Sequence, residues 1–110
     1  MLEALTSLFS GNRYYRLSGE GLVDPLTAKQ MIKKGKITHI IDLRSFEEYK
    51  NGHYPQAKHM KSNDLPNDLS GGIIVYSCNH KESRDAVELL KTNCNIDDVF
   101  YVDKSYKSFL

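Results

Sequence analysis

The sequence predicts an α/β domain in which helices cover both faces of a central, mainly parallel sheet. Strand-like apolar runs alternate with segments that carry helix signals, which is the pattern of a parallel sheet. Two of these runs, ITHIIDL at 37–43 and IIVY at 73–76, are nearly continuous in apolar residues, as for strands covered on both faces. The length of 110 residues suits one domain with one modest core.

Composition narrows the classes of function. Apolar residues make up 40% and charged residues 26% of the chain, as in ordinary soluble proteins, and the net charge is +1. Charge therefore indicates neither nucleic acid nor an anionic membrane as a partner. No apolar run approaches the roughly 18 residues of a membrane span. The start, MLEALTSLF, is too short for a signal peptide and contains Glu3, so we expect a cytoplasmic protein with reduced thiols.

The first half of the chain shows clear helix boundaries. Residues 1–22 are predicted to be a separate N-terminal segment, with the domain at 23–110. In DPLTAKQMIKKG, Asp24 can cap a helix, the proline after it suits the first helical position, and a glycine ends it. After the strand ITHIIDL, the segment SFEEYKNG has Ser45 and Glu48 at the spacing of a capping box, and Gly52 as its stop.

The remaining elements follow from periodicity. HYPQAKHM reads as a loop that runs into a short strand, and SNDLPNDLSGG as a long polar connection. After the strand IIVY, the segment ESRDAVELLKT at 82–92 has one apolar stripe and predicts a helix. VFYV predicts a last strand, and SYKSFL a closing helical turn. Ligands bind beyond the carboxyl ends of parallel strands, so the residues after Tyr76 are the predicted site.

Three blocks of the sequence form a further pattern: IIDLRSFEEYKNGHYPQAKHM, IIVYSCNHKESRDAVELL and VFYVDKSYKSF. In that order, they resemble the first signature of the rhodanese family, its strand, active loop and helix, and its last strand with the closing aromatic. The likeness covers about residues 23–110. The last block departs from the family, with Lys104-Ser105 in place of Gly-Gly and Phe109 in place of Trp. The residues that match the first signature are Asp42, Arg44, Glu48, Gly52, His53, Pro55 and Ala57.

The resemblance implies a rhodanese-like fold and a sulfur-transfer chemistry. A cysteine thiolate at the end of a strand takes a sulfane sulfur from a small anionic donor and passes the resulting persulfide sulfur to an acceptor, such as a protein thiol. No metal or organic cofactor is implied. Most of the first signature is expected to be scaffold: Asp42 and Arg44 pair with loop backbone and with Glu47 or Glu48, and His53 is a hydrogen-bonded structural imidazole.

Two alignments of the active loop remain open. The gapless one puts Ser77 at the nucleophile position and Glu82 where the family has arginine, which leaves a serine without a base. A shift by one residue makes Cys78 the nucleophile and gives Cys-x5-Arg with Arg84. That spacing resembles the dual-specificity phosphatases and arsenate reductases of the same fold, in which arginine binds a phosphate-like oxyanion. The polar residues at hand for the acid are His80, Lys81 and Glu82, with Asp42 or Glu48 expected nearby, and none of them stands out.

We therefore predict Cys78 and Arg84 as catalytic residues, with Asp42, Arg44 and His53 as structural residues near the site. Three functions stay open: a sulfurtransferase or persulfide carrier, which leads, a catalytically silent binding module, and a phosphatase-like enzyme. The second cysteine, Cys94, is expected to be core filler, because two thiols without near Cys or His partners cannot form a zinc site. The predicted anion-binding loop consists of Ser77, Asn79, His80, Lys81, Glu82 and Ser83.

Overall fold

A computed structural model describes residues 21–102 and 106–110, so the N-terminal segment at 1–20 and Lys104-Ser105 lie outside the described residues. The described part is a five-stranded, all-parallel sheet with helices. Its elements are β1 (Leu22–Val23), α1 (Pro25–Lys33), β2 (His39–Asp42), α2 (Phe46–Asn51), β3 (Lys58–His59), a 3₁₀ turn (Ser62–Asp64), β4 (Ile73–Tyr76), α3 (His80–Cys94), β5 (Val99–Val102) and a closing 3₁₀ turn (Tyr106–Ser108).

The strand order is β1-β5-β4-β2-β3, which puts β4 at the centre. Asp42 pairs in register with Tyr76, and Val75 with Tyr101. Because the strands are parallel, the carboxyl ends of β2, β4 and β5 meet at one edge of the sheet. The predicted parallel α/β architecture is confirmed. The sequence did not reveal β1, since two residues carry no periodic pattern, and Leu22 of this strand lies before the predicted start of the domain.

Helices cover both faces of the sheet, as predicted. The even-numbered apolar residues of β4 and β5 pack with α1 and the closing turn, and the odd-numbered ones pack with α3. Side chains that alternate between two covered faces explain the nearly continuous apolar runs. The first layer contains Ala28, Met31, Ile40, Ile74, Tyr76, Phe100, Val102, Tyr106 and Phe109; the second contains Ile41, Ile73, Val75, Ala86, Val87, Leu90, Val99 and Tyr101.

The predicted helix starts hold for α1 and α2. The Asp24 side chain accepts a hydrogen bond from the Thr27 N–H at 2.9 Å, and both bonds of the Ser45–Glu48 capping box are present. The capping box places Glu48 in the first turn of α2, immediately after the edge where β2 ends.

The predicted bounds of α3 were wrong. The helix begins at His80 and ends at Cys94 rather than covering 82–92. Asn79 caps it, because its side-chain oxygen accepts the Glu82 N–H at 3.1 Å. Asn95 ends it in the left-handed conformation, with φ 56° and ψ 49°. The connection between β4 and α3 is therefore shorter than the sequence indicated.

Within residues 21–102 and 106–110, the structure has no helix that is long and apolar enough to cross a membrane.

Candidate active site

The turn that joins β4 to α3 contains only Ser77, Cys78 and Asn79. The next five residues, which sequence analysis assigned to the active loop, lie in the first two turns of α3. Residues 77–84 thus form a tight turn followed by a helix start. The helical ones are His80, Lys81, Glu82, Ser83 and Arg84.

Cys78 is exposed, and two polar side chains from other elements contact its sulfur. The thiol Sγ lies 3.3 Å from Oε2 and 3.6 Å from Oε1 of Glu48 in α2. It lies 3.2 Å from the hydroxyl oxygen of Tyr106 in the closing turn. The thiol therefore donates to a carboxylate and meets a phenol at the edge where the carboxyl ends of the strands converge.

The charge states of these two neighbours follow from their hydrogen bonds. The hydrogen bond from Cys78, and then that from the Ser45 N–H, lowers the pKa of Glu48 below its usual range. The hydrogen bond to Cys78, followed by burial, raises the pKa of Tyr106 to about 12. At neutral pH, Cys78 thus lies between a carboxylate and a neutral hydroxyl group.

Ser77 is buried, and its hydroxyl is bound within the turn. It donates to Oε1 of Glu82 at 2.9 Å and accepts the Asn79 N–H at 3.0 Å. Of the two residues that compete for the nucleophile position, Cys78 is exposed and Ser77 is buried.

Glu82 and Ser83 occupy the start of α3. The Glu82 carboxylate stands where the rhodanese resemblance puts an arginine, and it accepts the hydrogen bond of the Ser77 hydroxyl. The Ser83 hydroxyl is buried and has no hydrogen-bond partner among residues 21–102 and 106–110. A buried hydroxyl without a hydrogen-bond partner lowers the stability of the folded state.

The basic side chains of this stretch are directed to other partners. His80 Nε2 lies 3.3 Å from the Tyr101 hydroxyl, and Lys81 forms an ion pair with Asp85 at 2.9 Å. Arg84 is half-buried, and its side chain forms no hydrogen bond or ion pair with any described residue. The structure does not bring these three side chains into polar contact with Cys78.

Asp42 and Arg44 form a buried ion pair below the site. Arg44 Nη2 lies 2.8 Å from Asp42 Oδ2, its Nε lies 3.1 Å from Oδ1, and its backbone N–H also donates to Oδ1 at 2.8 Å. Arg44 Nη2 donates in addition to the Gly52 carbonyl at 2.6 Å. The expected pairing with loop backbone is confirmed. Pairing with Glu47 or Glu48 was wrong, because Asp42 presents both carboxylate oxygens to the guanidinium group.

Arg44 also connects this ion pair to the site. Its Cζ lies 5.4 Å from the ring centroid of Tyr76 and 5.8 Å from that of Tyr106. The hydrogen bond to Asp42 raises the pKa of Arg44, so the guanidinium stays charged. Arg44 thereby supports the ring whose hydroxyl contacts Cys78.

His53 and Cys94 lie apart from this cluster. His53 Nδ1 is 2.7 Å from the Tyr49 carbonyl oxygen, and the two rings stack with centroids 3.8 Å apart, which confirms a hydrogen-bonded imidazole. Cys94 is half-buried against the α3 layer, and its thiol donates to the Pro66 carbonyl at 3.6 Å. Cys94 is thus core filler, as expected.

Sequence analysis did not name Tyr106, and it considered Glu48 only as a nearby candidate acid, not as a contact of the thiol. Glu48 had a usable signal, because its capping box puts it in the first turn after β2, next to the end of β4. Tyr106 had only a weak signal, since it follows the last strand by a few residues with no pattern that fixes its direction.

A shallow groove of about 500 Å³ adjoins the turn on the α3 side. Its walls come from the 3₁₀ turn Ser62–Asp64 and from the first half of α3, and the groove is open to solvent. Among the described residues, no group of three or more His, Cys, Asp and Glu side chains has a geometry that could hold a metal ion. The lining residues are Ser62, Asn63, Asn79, Lys81, Glu82, Asp85, Ala86 and Leu89.

Comparison with known proteins assigns the family. Residues 24–110 match the family model of the rhodanese-like domain, and the chain belongs to that family. A sequence search of curated proteins finds no match.

Solved structures of rhodanese-like proteins share the fold. The Alr3790 protein from Anabaena sp. superposes with a TM-score of 0.65 at 23% identity, over 79% of this chain and 74% of that one. SSP1007 from Staphylococcus saprophyticus gives 0.64 at 18% identity, over 80% and 91%. The human single-domain sulfurtransferase TSTD1 gives 0.64 at 15% identity, over 81% and 94%. At these identities the likeness establishes the fold.

Proposed function

We propose that this rhodanese-like domain is a sulfur carrier that holds a sulfane sulfur as a persulfide on Cys78. The observation that supports this most directly is the exposed Cys78 thiol, which Glu48 and Tyr106 contact at 3.3 and 3.2 Å. A thiol at the carboxyl edge of a parallel sheet, open to solvent and oriented by two polar groups, suits nucleophilic attack on sulfur.

The proposed cycle needs no metal or organic cofactor. The Cys78 thiol loses its proton to water, and the thiolate attacks the outer sulfur of a donor R–S–SH. The donor S–S bond breaks, the electron pair leaves on the donor thiolate, and Cys78 carries S–SH. An acceptor thiol then attacks that outer sulfur and releases the Cys78 thiolate. The groove beside Asn79 offers room for the rest of a thiol acceptor, such as a protein thiol.

Intact-mass spectrometry tests the proposal. The protein is incubated with cysteamine hydropersulfide and, separately, with thiosulfate, as wild type, Cys78→Ser and Cys94→Ser. We expect the mass of one sulfur atom to be added to wild type and Cys94→Ser but not to Cys78→Ser. Cys94→Ser is the matched control, because its thiol is half-buried and bound to Pro66. No gain from either donor, or a gain that survives Cys78→Ser, would overturn the proposal.

A second candidate is a rhodanese-like module that binds a partner without catalysis. The bond between Ser77 and Glu82 favours it, because this chain's own carboxylate takes up the first turn of α3. The absence of a persulfide on Cys78 with both donors would be the expected result for such a module.

The phosphatase-like alternative requires Arg84 to bind an oxyanion above Cys78. Arg84 lies in the second turn of α3, and the turn before the helix is short, so no geometric feature favours this activity. Hydrolysis of an aryl phosphate that is lost in both Cys78→Ser and Arg84→Ala would revive it.

A further inference from the structure

Two carboxylates flank the Cys78 turn, one from each neighbouring helix. Glu48 of α2 contacts the sulfur atom itself, with Oε2 at 3.3 Å. Glu82 of α3 binds the hydroxyl of Ser77, the residue that precedes Cys78, at 2.9 Å. Any molecule that reaches the thiol therefore approaches between two negative charges.

The cations of the site region are already matched with carboxylates or lie apart. Arg44 is buried and bonded to Asp42. Lys81 lies on the surface and pairs with Asp85. Arg84 makes no hydrogen bond or ion pair with either carboxylate in the described residues. The positive charge of Arg44 contributes to the lowered pKa of Glu48. A ligand in solvent, however, meets Arg44 together with its partner Asp42, and the charges of this pair cancel. Among the described residues, the charged groups that contact Cys78 and its neighbour Ser77 are therefore the carboxylates of Glu48 and Glu82.

The N-terminus of α3 does not reverse this sign. Its dipole attracts an anion through those of the first N–H groups that are open. The Asn79 N–H donates to Ser77 Oγ and the Glu82 N–H donates to the Asn79 side chain, so these two groups are occupied, while the N–H groups of His80 and Lys81 have no acceptor among the described residues. The Glu82 carboxylate adds its own negative charge to the first turn.

We infer that Glu48 and Glu82 make the Cys78 site selective by charge. The site reacts with sulfur compounds in which the groups around the reacting sulfur are neutral or positively charged. It disfavours small dianions such as thiosulfate. This inference rests on the proposed function, since it names the donor class of the same site. The natural sulfur source or acceptor is then a thiol or persulfide flanked by positive charge, as on a cysteine next to lysine or arginine side chains.

Methanethiosulfonate reagents of opposite charge measure this selectivity without any sulfur transfer. The Cys78 thiolate attacks the divalent sulfur of the reagent, the S–S bond breaks, methanesulfinate leaves with the electron pair, and a mixed disulfide forms. The thiol proton goes to solvent. Trimethylammonioethyl and sulfonatoethyl methanethiosulfonate differ in charge at similar size, and the methyl reagent is the neutral reference. All variants carry Cys94→Ser, which leaves Cys78 as the single cysteine.

The variants are Glu48→Gln and Glu82→Gln. Glutamine keeps the size of the side chain and can still bond to Ser45 or Ser77. Glu47→Gln is the matched control for α2 and Glu88→Gln for α3, since both side chains are exposed and form no hydrogen bond with the site.

At low ionic strength we expect the cationic reagent to react faster than the anionic one. Each of the two site variants should lower the cation-to-anion rate ratio by at least about fivefold, the factor for one unit charge at about 4 Å in water. Added salt should lower the wild-type ratio as well. The two control variants should keep the wild-type ratio.

Equal rates for the two reagents, or a ratio that neither site variant changes more than its control, would overturn the inference. So would persulfide formation from thiosulfate as fast as from cysteamine hydropersulfide, a result that leaves the proposed carrier function intact. A different result would show that the proposed function is wrong: the cation-to-anion rate ratio at Cys78 depends on Glu48 and Glu82, but neither donor forms a persulfide.

Discussion

Breaking the buried ion pair of Asp42 and Arg44 should destabilise the domain strongly. Asp42→Asn keeps the size of the side chain but removes the negative charge opposite a guanidinium that stays ionised. Both side chains are nearly inaccessible, at 0% and 6% exposure, so water cannot replace the lost partner. Removal of one partner of a buried pair costs about 3–5 kcal/mol. An asparagine oxygen can still accept one N–H of Arg44, so we expect a value near the lower end.

Urea unfolding measures the effect. A loss of about 3 kcal/mol, with a slope of about 1.5 kcal/mol per molar urea, lowers the unfolding midpoint by about 2 M. The chain has no tryptophan, so far-ultraviolet circular dichroism is the suitable signal. The loss is a large share of the about 5–15 kcal/mol that stabilises a typical domain.

Asp85→Asn is the matched control. It makes the same chemical change in an ion pair of similar length, 2.9 Å from Lys81, but in side chains that are 74% and 56% exposed. Solvent screens such a pair, and we expect an unchanged midpoint. If the two variants had equal midpoints, burial would not be what makes the Asp42–Arg44 pair important, and the reasoning would fail.

Three further predictions concern the ends of helices and alkaline pH. The pKa of Tyr106 is about 12 in the folded domain and about 10 in an unfolded chain, so its contribution to stability is present below about pH 10 and lost as the pH rises through about 12. The urea midpoint should therefore fall less over that pH range in Tyr106→Phe than in wild type. An equal fall in both proteins would contradict this cause. Ser45→Ala should cost about 1 kcal/mol of unfolding free energy by removing a helix cap, whereas Ser45→Asp should cost less. Asn95→Gly should keep or raise the midpoint and Asn95→Val should lower it by about 1–2 kcal/mol, because a β-branched residue is strained at φ 56°; indistinguishable midpoints would argue against the left-handed cap.

Local sequence signals predicted the framework well. The cap at Asp24 and the capping box at Ser45 and Glu48 depend on residues three positions apart, so the chain alone specifies them. Apolar runs predicted β4 and β5 at their observed bounds because both faces of these strands are buried. The start of α3 was missed because Asn79 acts as the cap, where the family resemblance had suggested a longer loop.

The sequence by itself determined a parallel α/β sheet, a cysteine after its central strand, and the family to which the chain belongs. Only the tertiary structure decided what surrounds that cysteine. Glu48 and Tyr106 are separated from Cys78 by 30 and 28 positions, and they meet it because parallel strands bring their carboxyl ends to one edge. The choice of Asp42 over Glu48 as the partner of Arg44 likewise depends on side-chain directions, which follow from packing rather than from sequence spacing.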